Sequence, residues 1–141
     1  MEESQAQAKS ASAQGFGEAK RVLIVEDEPL LGNLLRQRLL KEGFSATLIR
    51  DGEEAFRSLQ TEVPDLILLD IILPKVSGFE LMEKIQSDPV LGARKIPIVV
   101  ISNLGQEGDV EKGQALGAIG YFVKAQLSIE DLVSKVKEFF G

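Results

Sequence analysis

Leu66-Ile67-Leu68-Leu69-Asp70-Ile71-Ile72-Leu73-Pro74 is an apolar run broken by a single charge, Asp70. Pro64 stands before it and Pro74 closes it. A short continuous apolar run between turn residues suits a strand buried on both faces, as strands of a parallel sheet are. Val22-Leu23-Ile24-Val25, Ile96 to Ile101 and Ile119 to Val123 have the same character, and Ala46 to Ile49 reads as a further strand.

Between these runs the apolar residues change to helical spacing. Pro29 opens one such segment, Leu30, Leu31, Leu34, Leu35 and Leu39 form its stripe, and Gly43 ends it. Asp51 followed three residues later by Glu54 resembles a capping box and predicts a helix through Ala55, Phe56 and Leu59. Gly78 to Ser87 carries Phe79, Met82 and Ile85 on one face. Gln106 to Leu116 is predicted as the softest helix, because Gly108 and Gly113 each cost ~1 kcal/mol against alanine. Ser128 and Asp131 cap a last helix with Ile129, Leu132, Val133, Val136, Phe139 and Phe140 at helical spacing. Asp88 to Lys95 is expected to be a rather long loop. Five strands alternating with five helices predict a doubly wound α/β fold, a parallel sheet covered on both faces.

The chain has 141 residues, about one domain. Residues 1–20, rich in Ala, Gln, Ser and Gly with Phe16 as their only aromatic, are expected to form a flexible tail before a domain over 21–141. There is no cysteine and no histidine. That excludes disulfides, thiolate or imidazole metal sites, the Ser-His-Asp triad and a phosphohistidine carried by this chain. A net charge of −6 opposes binding to nucleic-acid phosphates. No apolar stretch approaches the ~20 residues of a membrane span, and no signal peptide is evident. The expected location is cytoplasmic.

Polar chemistry must therefore come from carboxylates, hydroxyls, lysine and backbone. The first strand ends in Glu26 and Asp27, the third in Asp70, the fourth in Ser102 and the fifth in Lys124. Carboxyl ends of parallel strands lie along one edge, where ligand sites form. Clustered carboxylates repel one another, and an all-oxygen donor set suits a hard divalent ion such as Mg²⁺. A lysine and a hydroxyl opposite the ion could hold the remaining oxygens of a phosphoryl group. Asp70, central and flanked by the others, is the favoured nucleophile.

These residues, read together, resemble a known family. Val25-Glu26-Asp27-Glu28-Pro29, Asp70-Ile71-Ile72-Leu73-Pro74 with Gly78, Ile101-Ser102 and Tyr121-Phe122-Val123-Lys124 are similar to the motifs of response regulator receiver domains, including single-domain, chemotaxis-type receivers. The resemblance covers Arg21 to Gly141. It implies a flavodoxin-like (βα)5 sheet in the order 2-1-3-4-5. It further implies that Asp70 accepts a phosphoryl group from a phosphohistidine on a histidine kinase or phosphotransfer protein. Glu26, Asp27, Asp70 and the carbonyl of Ile72 would hold Mg²⁺. Lys124 would pair with a phosphoryl oxygen, and Ser102 and Tyr121 would move as a coupled switch that reaches a downstream partner protein.

The sequence departs from that pattern in places. Ala125 replaces the usual proline after the lysine, which predicts a trans peptide there. Asn103 replaces a small residue beside the switch hydroxyl. Two rival readings follow. One is a receiver-like interaction module that is never phosphorylated. The other is a Mg²⁺-dependent aspartyl phosphatase, disfavoured because Ile72 stands where a second aspartate would act as acid and base. Alone, Ser102 reads as a turn residue and Tyr121 as packing.

Overall fold

Pairing of the apolar runs builds the sheet. A computed structural model describes residues 19–141. The reading of residues 1–20 as a tail falls, apart from Ala19 and Lys20, outside the described residues. The strands are β1 (Arg21–Val25), β2 (Ser45–Ile49), β3 (Leu66–Leu69), β4 (Ile98–Ser102) and β5 (Gly120–Val123), in the order β2-β1-β3-β4-β5. All pairs are parallel, with Val22 opposite Leu66 and Leu69 opposite Val100. This is the flavodoxin-like order that the resemblance implies.

The helices are α1 (Pro29–Lys41), α2 (Gly52–Leu59), α3 (Gly78–Ser87), α4 (Pro89–Arg94), α5 (Glu107–Ala115) and α6 (Ile129–Phe140). Side chains alternate across each strand. Val22, Ile24, Leu66, Leu68 and Ile101 therefore pack with Leu35 of α1 and Leu132 and Val136 of α6. Val25, Ile67, Leu69 and Val100 pack on the opposite face with Leu59 of α2 and Leu81 and Met82 of α3. Each such fully buried side chain stabilises the fold by roughly 1.5–3 kcal/mol.

Capping follows the sequence closely. Ser128 Oγ accepts from Asp131 N–H, and Asp131 Oδ2 accepts from Ser128 N–H, both at 3.1 Å. Asp51 Oδ1 accepts from Glu54 N–H at 2.7 Å. The main correction is α4, where a loop was expected from Asp88 to Lys95. Asp88 Oδ1 accepts from the N–H groups of Val90 and Leu91 at 2.9 Å each, Pro89 starts the helix and buried Leu91 anchors it. Lys95 then ends it in the left-handed region at φ 54°. The described residues thus form six α-helices rather than five.

Candidate functional site

Four strand ends deliver the polar groups to the carboxyl edge of the sheet. Asp70 follows β3, and its N–H donates to Val25 O at 2.9 Å, which sets it beside the end of β1. Glu26 follows β1, tied through its N–H to Ile49 O at 3.0 Å. Ser102 ends β4, and Lys124 follows β5 as the first residue of a 3-10 turn. No cis peptide occurs among the described residues, so the bond from Lys124 to Ala125 is trans. Gly78 makes close packing possible here, since a Cβ on it would stand 2.4 Å from the carbonyl oxygen of Asp70.

Glu26, Asp70 and Ser102 are buried. The Lys124 ammonium binds them together, lying 2.8 Å from Asp70 Oδ2, 2.8 Å from Glu26 Oε1 and 2.8 Å from Glu28 Oε2. The contacts with Asp70 and Glu28 are well-directed hydrogen bonds. Glu26 Oε1 is near the ammonium without making a well-aligned hydrogen bond, and it is a buried carboxylate oxygen without a hydrogen-bond partner. Burial pushes the Glu26 carboxyl up to about 7, and the charge of Asp70 adds to the rise. The ammonium of Lys124 and the N–H of Glu28 work against it. Burial also works to lower the Lys124 pKa, but its hydrogen bonds to Asp70 and Glu28 and its ion pair with Glu26 outweigh burial and hold the ammonium protonated well above its usual range.

One carboxylate beyond those expected, Glu28, joins the cluster. Carboxylate oxygens of Glu26, Glu28 and Asp70 lie within 4.8 Å of one another, and exposed Asp27 does not join them. Alternation explains this, because Glu28 has extended backbone and residues 26 and 28 project to the same side. Spacing two apart within Glu26-Asp27-Glu28 was a readable signal for Glu28. The Ile72 N–H donates weakly to Asp70 Oδ1 at 3.3 Å, while the Ile72 side chain is largely exposed.

Ser102 and Tyr121 meet through the backbone of one residue. Leu104 N–H donates to Ser102 Oγ at 3.2 Å, and the Tyr121 hydroxyl donates to Leu104 O. Burial, then the charges of Asp109 and Asp70, push the Tyr121 phenol above its ordinary pKa. Backbone groups carry no side-chain signature, so the part played by Leu104 was not readable from the sequence.

The donor set fits a hard divalent ion. Glu26 and Asp70 offer it converging carboxylate oxygens while Glu28 faces Lys124, and the buried Oε1 of Glu26, without a hydrogen-bond partner, has lone pairs free for a ligand. Sequence comparison agrees with the geometry, as the model of the response regulator receiver domain matches residues 22–137.

The chain belongs to the receiver domain family. The receiver is 39% identical over 117 residues to the phosphate regulon transcriptional regulatory protein PhoB of Rhizobium meliloti (strain 1021), covering 83% of this chain and 50% of that protein. The chain thus spans about half the length of that curated relative. Among solved structures, the phosphorylated cyanobacterial phytochrome response regulator RcpA is similar at 33% identity and a TM-score of 0.72, over 86% of this receiver and 91% of that chain. The Mn(2+)-bound form of response regulator Rcp1 is similar at 32% identity and a TM-score of 0.70, over 84% and 90%.

Proposed function

We propose that this receiver is a phosphoacceptor that takes a phosphoryl group onto Asp70 from a phosphohistidine of a histidine kinase or phosphotransfer protein. The observation that carries this reading is the buried Asp70 carboxylate held at 2.8 Å by the buried Lys124 ammonium, beside a carboxylate oxygen that has no hydrogen-bond partner. An Asp70 oxygen attacks phosphorus and forms the new P–O bond. The P–N bond to the donor imidazole breaks, and its electron pair returns to the ring nitrogen. Lys124 then offers its charge to a phosphoryl oxygen, and the Ser102 hydroxyl offers a second contact. Mg²⁺, when bound, supplies positive charge beside the phosphoryl oxygens, and Glu26, Asp27, Asp70 and the Ile72 carbonyl would hold it, as the family resemblance implies. The state of Asp70 is passed to a downstream protein partner, or the phosphoryl group is handed on.

The similar phosphorylated and Mn(2+)-bound regulators support both parts of the reading. Turnover of small phosphate esters is not expected, because Ile72 offers no acid or base beside Asp70. The net charge of −6 opposes nucleic-acid binding by this chain itself. No helix among the described residues is long and apolar enough to cross a membrane.

Intact-mass spectrometry after incubation with acetyl phosphate, with and without Mg²⁺, tests the proposal. One Mg²⁺-dependent phosphoryl adduct is expected, absent in Asp70→Asn. An adduct that persists in that variant would overturn the assignment to Asp70. Absence of any adduct, with no Mg²⁺ binding by titration, would point to an interaction module instead.

A further inference from the structure

An ammonium has three N–H donors and no more. In this receiver Lys124 faces three carboxylate oxygens at 2.8 Å, from Glu26, Glu28 and Asp70. Two of these oxygens, on Glu28 and Asp70, are hydrogen-bonded to it, so a phosphoryl oxygen brought to the ammonium competes with the carboxylates already crowded there and gains most where one of them gives way. Asp70 is the residue that carries the phosphoryl group. The Glu26 side chain is 0% exposed, and its Oε2 accepts from Glu28 N–H at 2.9 Å. Moving it would leave a charge buried and unpaired, the costly outcome for an ion pair. The Glu28 side chain is 58% exposed, so its carboxylate can turn into water at small cost.

The backbone of Glu28 is fixed while its side chain is free to move. Its N–H is held by Glu26 Oε2, and its carbonyl accepts from Gly32 N–H at 2.9 Å as the first turn of α1 begins. Release is therefore a side-chain rotation that leaves α1 in place. We infer that Glu28 is a positioning residue that clamps Lys124 in the resting site and releases it when Asp70 is phosphorylated, an inference that rests on the phosphoacceptor reading. The partner of Glu28 is the ammonium rather than the metal ion. The clamp keeps Lys124 aimed at Asp70 while no phosphoryl group is present, and it competes with the phosphoryl oxygen for one donor.

The test compares the unaltered chain with Glu28→Gln and Glu28→Asp. Initial rates of adduct formation from acetyl phosphate are read by intact mass, and Mg²⁺ affinity by calorimetry. Both variants weaken the contact, the first by removing the charge and the second by shortening the side chain. Both should be phosphorylated about two- to fivefold faster, the scale of one weak exposed ion pair. Mg²⁺ affinity should stay within about twofold of the unaltered chain. Added salt should speed the unaltered chain more than either variant, because it screens the clamp.

Equal rates in all three proteins would overturn the inference. So would a faster Glu28→Gln beside an unchanged Glu28→Asp, which would show a bare charge effect. A tenfold loss of Mg²⁺ affinity in Glu28→Gln would assign the residue to the ion instead. No adduct on the unaltered chain overturns the phosphoacceptor reading and this inference together. An adduct there, with unaltered rates in the variants, overturns this inference alone.

Discussion

Glu26 gives the domain a pH dependence opposite in sign to that of an ordinary salt-bridged carboxylate. Its carboxyl is pushed up to about 7 from an ordinary 4.5, chiefly by burial. The folded state therefore holds a proton there that the unfolded chain has released. Stability from the neutral form is complete below about pH 4.5 and is lost as pH rises through about 7. At 1.36 kcal/mol per pH unit, a rise from 4.5 to about 7 is on the order of 3 kcal/mol. Other shifted groups leave this window clear. Glu42, lowered by its hydrogen bond to Lys137, and Asp131, lowered by the cap at Ser128, add stability that is lost only at more acid pH. The raised Lys124 contributes stability that is lost only above its ordinary 10.5.

Urea unfolding followed by circular dichroism, in chelator at several pH values from about 5 to about 8, measures the effect. With a urea slope of roughly 1–3 kcal/mol per molar, the midpoint should fall by about 1–2 M across that range. Glu26→Gln, neutral at every pH, should flatten the slope. Saturating Mg²⁺ should offset most of the loss at the alkaline end, since binding to the folded state alone stabilises it. A midpoint independent of pH in chelator would refute the reasoning, as would an undiminished slope in Glu26→Gln.

Two further predictions concern single side chains. Lys124→Ala leaves the buried carboxylates of Glu26 and Asp70 without their cation and should destabilise the metal-free domain by about 3–5 kcal/mol. Chemical unfolding in chelator measures it, and Mg²⁺ should recover part of the loss. Tyr121→Phe removes the hydrogen bond to Leu104 O and should cost about 1 kcal/mol. Faster amide exchange confined to the segment from Asn103 to Gln106 would confirm that the hydroxyl pins this loop, and unchanged exchange there would refute it.

The sheet was legible because buried parallel strands are continuous apolar runs. Leu66-Ile67-Leu68-Leu69 is buried throughout, and no helical period competes with it. Helix α4 was not legible because its six residues bury only Leu91 and include Gly92, leaving no stripe to count. Its signal was the Asp88-Pro89 pair, a cap followed by a helix-starting proline. At the site, Glu26, Asp70, Ser102 and Lys124 were readable as polar breaks at strand ends. The approach of Glu28 to Lys124 is not legible in composition, since three carboxylates stand in a row; the extended backbone past β1 brings Glu28 to the same side as Glu26.

The link from the site toward the surface runs through small groups. Leu104 donates to Ser102 with its N–H and accepts from Tyr121 with its carbonyl, so one peptide segment couples the two side chains. Under the proposed phosphorylation of Asp70, a movement of Ser102 would strain the first bond, and Tyr121 would feel the change through the second. The Tyr121 ring in turn lies against Gly113 of α5, where an added Cβ would come within 3.0 Å of it. Gly113, read from sequence only as a helix weakness of ~1 kcal/mol, thus has a packing reason. It lets α5 approach the one aromatic ring whose hydroxyl reports on the loop beside the site. The same residue that softens the helix lets α5 lie against the ring of Tyr121 on β5.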